Sequence, residues 1–390
     1  MRGTKQKMLI FVGVLALAIL VAAFFFIFNP LGLGPEPQTV LSSSFFSRPA
    51  GDLSELQLLV DGREAFKEIL AAIDAASSSI YIQTYIWKDD HIGRQIVNRL
   101  KAAADRGVEV TISKDLLGTV FELADMLRGR PSPVFTRAGL RGYDHIQVET
   151  ELFRHTDHSK YFIIDKRLVI FGGMNIGDEY HLEWHDYMAV IRGERWAAAF
   201  ENRVLAGSAW PEPAPFILTV NDRGVTEIRT ALVELLDNAR ENVIIEHAYF
   251  SDNKVIAAVK RAAARGVQVA VVLPKKPDTH GCANMVTINK LLTGTTVNAP
   301  RIFLYPGMSH AKIILVDGAI AALGSANLTP RSMLTSREVA LFVHGKGDCP
   351  FIRKLRQQLQ ADIAQSEQVQ EPFELTFVDR IKAVVGKYVW

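Results

Sequence analysis

The sequence has little cysteine, no surplus of either charge and no polar low-complexity tract. Only Cys282 and Cys349 occur in 390 residues, which excludes a disulfide-rich scaffold and a four-thiolate zinc site and leaves one optional disulfide. The 44 Lys and Arg residues nearly balance the 42 Asp and Glu residues, so the basic surplus typical of nucleic-acid-binding proteins is missing. The length of 390 residues indicates two or three domains, and the 48% of apolar residues is enough to give them folded cores.

Charge is also missing from Met8 to Phe28, an apolar stretch of 21 residues. A helix of that length reaches about 30 Å, the thickness of a bilayer core. Phe24, Phe25 and Phe26 stand where a cleaved signal peptide has small residues, so we expect a retained anchor. The flanking basic residues are on the N-terminal side: Arg2, Lys5 and Lys7. The sequence predicts a single-pass protein of the cell (inner) membrane, with a cytoplasmic N-terminus and the body on the other side.

The chain contains two similar strand–helix–strand patterns, at residues 80–110 and 243–273. In each pattern a glycine, Gly107 or Gly266, follows the helix and precedes a Val-rich strand. This arrangement predicts parallel strands with helices packed on the sheet faces. The predicted divisions are an anchor (1–28), a Pro-, Gly- and Ser-rich linker (29–55), a first half (56–216), a second half (217–346) and a helical tail (347–390).

Polar residues repeat within the two halves at one fixed offset of 152 positions. An HxK motif precedes an apolar strand and an Asp in each half, and an Asn and a second carboxylate follow. The first half supplies His158, Lys160, Asp165, Asn175 and Asp186, and the second supplies His310, Lys312, Asp317, Asn327 and Glu338. A single HxK arises often by chance, but a shared offset over five positions indicates a duplicated site.

The spacing in HxK places the histidine and lysine on one face of a strand, where both can reach one ligand. A neutral imidazole can attack phosphorus, an ammonium can hold a phosphate oxygen, and an Asn amide can donate to another oxygen. A carboxylate on the second ring nitrogen would fix the tautomer. We expect Asp186 to serve His158 and Glu338 to serve His310. On this basis His158 is the predicted nucleophile and His310 the general acid and base.

The same residues predict chemistry without a metal or other cofactor. Two lysines and two asparagines supply the charge stabilisation that a divalent cation would otherwise give to a phosphodiester. His155 and Asp157 lie beside the first motif, but the sequence offers no second cluster with ligand spacing. Asp165 and Asp317 are predicted to be structural, because an Asp after a buried strand commonly closes a turn. His247 is predicted to be a polar residue at the rim.

Both copies match the HxKxxxxD motif of the phospholipase D superfamily, each followed by Gly-Gly or Gly-Ser and an Asn. The segments Leu58–Phe66, Gly172–Tyr180, Trp184–Asp186 and Gly324–Ser332 resemble those of bacterial cardiolipin synthases. The resemblance implies an α/β fold of two pseudo-twofold related α/β/α sandwich halves, with the site between them. It also implies a phosphatidyl-histidine intermediate and phosphatidyl transfer to an alcohol.

The partners implied are a phospholipid substrate, the lipid bilayer and an alcohol acceptor such as a second phosphatidylglycerol. Hydrolytic phospholipase D activity stays open, because nothing identified in the sequence excludes water as the acceptor. A nuclease of the same superfamily is the alternative from another class, and the balanced charge and lack of an aromatic, basic stripe count against it. A catalytically inactive lipid-binding scaffold is disfavoured by the two intact motifs.

The C-terminal tail has helical apolar spacing at Phe377, Ile381, Val384, Val385 and Tyr388, with basic residues interspersed. Two interpretations are equally good. The helix lies on a membrane surface, or it closes the second half by docking on it.

Overall fold

The computed structural model describes residues 34–47, 53–115, 118, 139–151, 156–212, 214–293, 298–345 and 349–389. The predicted anchor, Met8–Phe28, lies outside the described residues. Within the ranges above, no helix has the length and apolar character needed to cross a membrane.

The first half is built around one sheet with helices on its faces. Its elements are α1 (Ser43–Ser47), β1 (Leu56–Val60), α2 (Asp61–Ala75), β2 (Ser79–Thr84), α3 (His91–Asp105), β3 (Glu109–Asp115), β4 (Ile146–Glu151), β5 (Thr156–Asp157), β6 (Tyr161–Ile164), β7 (Leu168–Gly172), α4 (Asp178–Leu182), β8 (Tyr187–Arg192) and α5 (Glu194–Ala206). The strand order is β1-β8-β7-β6-β2-β3-β4.

The second half repeats this plan. Its elements are β9 (Phe216–Asp222), β10 (Val225–Thr226), α6 (Ile228–Asp237), β11 (Asn242–His247), α7 (Asn253–Ala264), β12 (Gln268–Pro274), α8 (Gly281–Leu292), β13 (Arg301–Tyr305), β14 (Lys312–Val316), β15 (Ile320–Gly324), α9 (Pro330–Leu334), β16 (Ser336–His344), α10 (Pro350–Gln365), β17 (Glu367–Val369) and α11 (Phe377–Val389). The order β9-β16-β15-β14-β11-β12-β13 matches the first sheet strand for strand, with β10 and β17 added at the edges.

The expectation of parallel pairing is confirmed for only part of each sheet. Strands β2, β3 and β4 are mutually parallel, as are β11, β12 and β13. The motif strands β6 and β14 are instead antiparallel to both neighbours. Short turns join β6 to β7 and β14 to β15, and a short turn can join only antiparallel strands, which accounts for these two pairings. The sheets are therefore mixed.

Local sequence explains why α3 and α7 begin and end where they do. Asp90 and Asp252 are the N-caps, and their carboxylates accept hydrogen bonds from backbone N–H groups in the first turn of each helix. Gly107 and Gly266 follow the two helices with φ of +86° and +95°, as the repeat predicts.

Three large apolar cores hold the layers of the described part of the chain together. Helices α2 and α3 cover the outer face of the first sheet, and α6 and α7 cover the outer face of the second. The inner faces of both sheets share one core, to which α5 and α10 also contribute. Strand β5 of the first half pairs parallel with β16 of the second. The halves are therefore joined by a continuous interior and by backbone hydrogen bonds.

The described N-terminal segment, residues 34–47, packs on the second half. Leu41 is buried in the core of that half, and the Glu234 carboxylate accepts hydrogen bonds from the backbone N–H groups of Val40 and Leu41. Glu36 forms ion pairs with Arg229 and Lys254. The chain that follows the predicted anchor thus makes specific contacts before it enters β1. The predicted domain boundaries stay predictions.

Candidate active site

The two HxK motifs lie at the ends of β6 and β14, each beside a strand of the opposite half. The backbone N–H of His158 donates to the carbonyl of Arg337, and that of His310 donates to the carbonyl of His185. Those carbonyls directly precede Glu338 and Asp186, respectively. The fold thus places each motif against the carboxylate-bearing segment of the other half.

The histidine–carboxylate pairs consequently cross between the halves. Nδ1 of His158 is 2.9 Å from Oε1 of Glu338, and Nδ1 of His310 is 2.7 Å from Oδ2 of Asp186. The expected pairing of Asp186 with His158 and of Glu338 with His310 is therefore wrong. In both pairs Nδ1 donates to the carboxylate, so Nε2 is left as the reactive nitrogen of each ring.

Both carboxylates are buried and held in place, but by different means. Glu338 also accepts hydrogen bonds from the hydroxyls of Ser325, at 2.5 Å, and Ser332, at 2.7 Å. Asp186 accepts from the backbone N–H of Tyr187, and a Cβ on Gly173 would lie 2.5 Å from its Oδ1. The Gly-Gly of the first half and the Gly-Ser of the second therefore both position a carboxylate. Gly173 does so by leaving room for Asp186, and Ser325 does so by donating a hydrogen bond to Glu338.

The two lysines are buried beside the histidines. Each ammonium donates to the backbone carbonyl of the histidine of its own motif, Lys160 to His158 and Lys312 to His310. Nζ of Lys312 also lies 3.0 Å from Nδ1 of His310. The charges of Glu338 and Asp186 act on both lysines. The two motifs therefore share one electrostatic environment.

Burial and charge set the ionisation of these groups. Burial, and then the charge of Lys160, lowers the pKa of His158 to about 4, and burial with Lys312 lowers the pKa of His310. Burial also lowers the pKa of Lys160 to about 7 and that of Lys312 to about 8. Burial alone would raise the pKa of Glu338, but His158 and Lys160 bring it below its usual value. At neutral pH both imidazoles are neutral and Glu338 is ionised.

The two asparagines differ in their contacts. Oδ1 of Asn175 accepts from the backbone N–H of Ile86, and its Nδ2 donates to the Tyr180 hydroxyl at 2.9 Å. Oδ1 of Asn327 is buried and, among the described residues, has no hydrogen-bond partner. Nδ1 of His247 is likewise buried without one, and burial with the charge of Lys312 lowers the pKa of that imidazole. His247 is 3% exposed, so its predicted place at the rim is wrong.

Among the described residues, more aromatic side chains lie near His310 than near His158. The rings of Tyr180 and Trp184 lie 5.3 Å and 5.6 Å from the His310 ring, and that of Tyr249 lies 6.3 Å away. The Tyr85 ring lies 4.9 Å from His158. Sequence reasoning did not identify the tyrosines, because they have no counterpart at the repeat offset. Trp184 was marked only as part of the Trp184–Asp186 segment that resembles cardiolipin synthases.

A buried polar network lies directly behind the crossed pairs. His185 donates from Nδ1 to Asp61 and lies 3.2 Å from Oδ2 of Asp362, while the Tyr187 hydroxyl bonds Asp362 at 2.8 Å. Oγ of Ser309 donates to Glu246. Burial, opposed by His185 and supported by Asp362, raises the pKa of Glu246 to about 7. Because neighbouring residues on a strand face opposite sides, this network and the crossed pairs lie on the two faces of the same segments.

Metal-ligating atoms come together once within the described ranges. His185, Glu246 and Asp362 each offer a ligand atom, all within 4.8 Å of one another. Sequence spacing did not reveal this group, since its members come from three distant segments. His185 already hydrogen-bonds Asp61, Glu246 accepts from Ser309, and Asp362 accepts from Tyr187. Hydrogen bonds within the protein therefore satisfy all three groups. The His155 position is outside the described residues, and Asp157 is paired with Arg337.

The motif aspartates stand at the far ends of β6 and β14. Asp165 accepts hydrogen bonds from the backbone N–H groups of residues 77–79, and Asp317 accepts them from residues 240–242. These contacts fix the segments that lead into β2 and β11. The two cysteines are free thiols.

The duplicated mixed sheets, the crossed histidine–carboxylate pairs and the two lysines define an enzyme of the phospholipase D type. The chain belongs to the family described as "Cardiolipin synthase, PLD-like domain", which matches residues 69–206 and 232–363. It is 30% identical over 348 residues to cardiolipin synthase A of Pseudomonas putida, covering 81% of this chain and 69% of that protein. It is 28% identical to the cardiolipin synthase of Listeria welshimeri, covering 81% and 70%.

Solved structures share the fold at lower identity. Phosphatidylserine synthase of Haemophilus influenzae aligns with a TM-score of 0.63 at 14% identity, covering 87% of this chain and 93% of that one. Polyphosphate kinase of Porphyromonas gingivalis aligns with a TM-score of 0.54 at 19% identity, covering 84% and 50%. At these identities the comparison concerns the fold alone.

Proposed function

We propose that this protein is a membrane-associated phosphatidyltransferase of the cardiolipin synthase type. One observation carries the proposal: two imidazoles, each hydrogen-bonded through Nδ1 to a carboxylate of the other half, share one electrostatic environment with two buried lysines. The family membership and the curated relatives, named cardiolipin synthases, support a phospholipid as the substrate.

In the first step, Nε2 of His158 attacks the phosphorus of a phosphatidylglycerol. A P–N bond forms, and the bond between phosphorus and the oxygen of the departing glycerol breaks. The His310 imidazolium gives its Nε2 proton to that oxygen. His310 is neutral in the free site, but the phosphodiester brings a negative charge that favours its protonated form. Glu338 stabilises the charge that develops on the His158 ring.

In the second step, a hydroxyl of the acceptor alcohol attacks the phosphatidyl-histidine. His310 removes the hydroxyl proton, the P–N bond breaks, and His158 returns to its neutral form. The Lys160 and Lys312 ammonium groups neutralise the non-bridging oxygens in both steps, with amide donors from Asn175 and Asn327. Asp186 keeps Nδ1 of His310 protonated, so Nε2 alternates between acid and base.

Asp186 was expected to orient His158, but it orients His310 and so gives no reason to choose His158 as the nucleophile. The choice now rests on two other features of His158. Its pKa is lowered to about 4, and Glu338 is fixed by three donors and kept ionised. Both features hold Nε2 unprotonated and ready to attack.

The function is tested with purified protein and labelled phosphatidylglycerol. Cardiolipin with release of glycerol supports the transferase, whereas phosphatidic acid as the sole product would show that water is the acceptor. A parallel assay with single-stranded DNA examines the nuclease alternative. Cleavage of DNA without turnover of lipid would overturn the proposal.

We also propose that Met8–Phe28 anchors the protein in the inner membrane, with residues 34–389 on the non-cytoplasmic side. The support is the flanking charge of Arg2, Lys5 and Lys7. A reporter fused after the last residue should be accessible to protease in intact spheroplasts. Digestion only after lysis would reverse the orientation.

A further inference from the structure

An exposed apolar stripe runs along the C-terminal helix α11. Five side chains form it, and their exposed fractions run from 48% to 77%: Phe377, Val378, Ile381, Val384 and Val385. In the described ranges, the other exposed large apolar side chains are Leu182, Leu205 and Met285, which are 37% to 47% exposed and lie each on a different helix. The stripe members recur at intervals of three, four and one, so they share one face of the helix.

The other face of α11 is fixed to the body of the protein. Ala383 is 6% exposed, and a Cβ on Gly386 would lie 3.8 Å from the Cα of His280. Cys282 of α8 contacts Asp379 through its thiol. Just before the helix, the backbone of Phe373 exchanges two hydrogen bonds with the side chain of Asn289. The helix is therefore docked on the second half, as one of the two interpretations predicts, and it still presents an apolar surface.

A short chain of contacts joins this helix to the active site. His280, against which Gly386 packs, stacks on the Tyr249 ring with centroids 4.3 Å apart. The Tyr249 ring in turn lies 6.3 Å from the ring of His310. The stripe is therefore carried by a helix on the rim of the catalytic site.

The charges around the stripe favour an anionic surface. Arg380 and Lys382 are exposed beside it. Asp379 is the one acid of the helix, and it accepts hydrogen bonds from the backbone and hydroxyl of Thr376. The helix also carries Arg380, Lys382 and Lys387, so its net charge is positive. Apolar side chains flanked by basic ones are typical of helices that lie in the interface of an anionic bilayer.

We propose that α11 lies in the headgroup region of an anionic bilayer, with its apolar stripe inserted, and thereby holds the His158–His310 site at the level of the lipid phosphates. This inference deepens the proposed function, since a lipid-using enzyme must bring its site to phosphates that stay in the membrane. Contact with lipid hydrocarbon also explains why five apolar side chains are left exposed on a helix whose other face is docked on the protein.

Depth measurements on the full chain in proteoliposomes test the proposal independently of catalysis. A fluorophore is attached at Val384→Cys, with Leu205→Cys as the matched control on α5 and with Cys282 and Cys349 replaced by Ser. Spin-labelled phosphatidylglycerol should quench the label at position 384 and leave that at position 205 unquenched. An unquenched, water-exposed label at 384 would overturn the proposal. Shielding in detergent that disappears on dilution would identify a second copy as the occupant, and this too would overturn it.

Activity measurements separate the membrane contact from the chemistry. The triple variant Phe377→Ser, Ile381→Ser, Val385→Ser should raise the vesicle-lipid concentration for half-maximal rate roughly tenfold. Turnover of a soluble, short-chain phosphatidylglycerol should stay unchanged. Equal losses on both substrates would assign the stripe to folding and overturn the proposal. If the unmodified protein turns over neither substrate, the proposed function fails, while the quenching result still decides the membrane contact.

Discussion

At the scale of single residues, each histidine depends on a carboxylate from the other half of the chain. The pairs His158–Glu338 and His310–Asp186 are built alike, yet the proposed roles differ. A phosphodiester with a nitrophenolate leaving group needs no proton at the first step, so it separates attack from acid catalysis. The two pairs can therefore be tested one against the other.

With that substrate, Glu338→Gln should slow formation of the covalent adduct by about 10²- to 10⁴-fold, because the His158 tautomer is no longer fixed. Asp186→Asn, the matched variant of the other pair, should leave adduct formation nearly unchanged and slow its breakdown. Quenched-flow measurement with peptide mapping gives both rates and the site of the adduct. An adduct on His310, with the sensitivities exchanged, would reverse the roles.

The pKa values of the free site predict the pH profile of kcat/KM. The pKa of His158 is lowered to about 4, so protonation of the nucleophile should reduce the rate only as the pH falls towards 4. The pKa of Lys160 is lowered to about 7, so its charge is lost as the pH rises through 7, and an alkaline limb should appear there. Lys160→Arg should keep the charge and move that limb upward. A limb that does not respond to this change would assign it to another group, Lys312 first.

Charge stabilisation by lysines also predicts that turnover persists in excess EDTA. The ammonium groups of Lys160 and Lys312 are buried at the site, and in the proposed mechanism they take the place of a divalent cation. The buried trio His185, Glu246 and Asp362 provides the contrasting outcome. Activity that is lost in EDTA and recovered with zinc or manganese would indicate a metal. If Asp362→Asn prevented that recovery, the metal would lie behind the site.

The sequence could identify the motif residues because a duplication marks them twice. Equal spacing, however, shows which residues correspond between the halves and does not show which ones touch. Asp186 corresponds to Glu338, but each contacts the histidine of the other copy. That contact depends on β5 pairing with β16 and on the motif segments lying against the opposite half, neither of which leaves a local pattern.

At the scale of elements, α10 is tied to the back of the site through Asp362. This carboxylate bonds His185 and Tyr187 of the first half and lies close to Glu246 of β11. Periodicity alone assigned this region to a helical tail. It did not indicate that an Asp on the helix completes a buried network, because its partners are distant in sequence. The strand–helix–strand patterns predict the parallel strands. The antiparallel pairs β6–β7 and β14–β15 are instead determined by short turns, which those patterns do not include.

Asp362→Leu should lower the free energy of unfolding by about 3–5 kcal/mol, because it removes the buried carboxylate that pairs with both His185 and Tyr187. Glu367→Gln is the matched control, since Glu367 is exposed beside Lys275 and its ion pair contributes at most about 1 kcal/mol. Urea denaturation measures both. Equal midpoints for the two variants would show that the network carries no stability.

At the scale of the whole molecule, the two halves form one folding and catalytic unit. One apolar core contains residues of both sheets together with α5 and α10, and each histidine has its carboxylate in the other half. The covalent link between the halves is therefore needed mainly while the chain folds. Once the protein is folded, the shared core holds the two halves together. The segment that joins α5 to β9, residues 207–215, is the place to test this.

A protease site inserted between Pro211 and Glu212 should allow the chain to be cut without loss of activity. The shared core buries apolar surface of both fragments, so the cut protein should still elute as one species in native buffer. Separated in urea and returned to buffer alone, each fragment should be inactive, because it has only one of the two motif histidines and lacks the carboxylate that orients it. Mixing the two fragments before the urea is removed should restore turnover. Activity from the fragment that ends at Pro211, without its partner, would show that a single motif suffices and that the crossed pairs are dispensable.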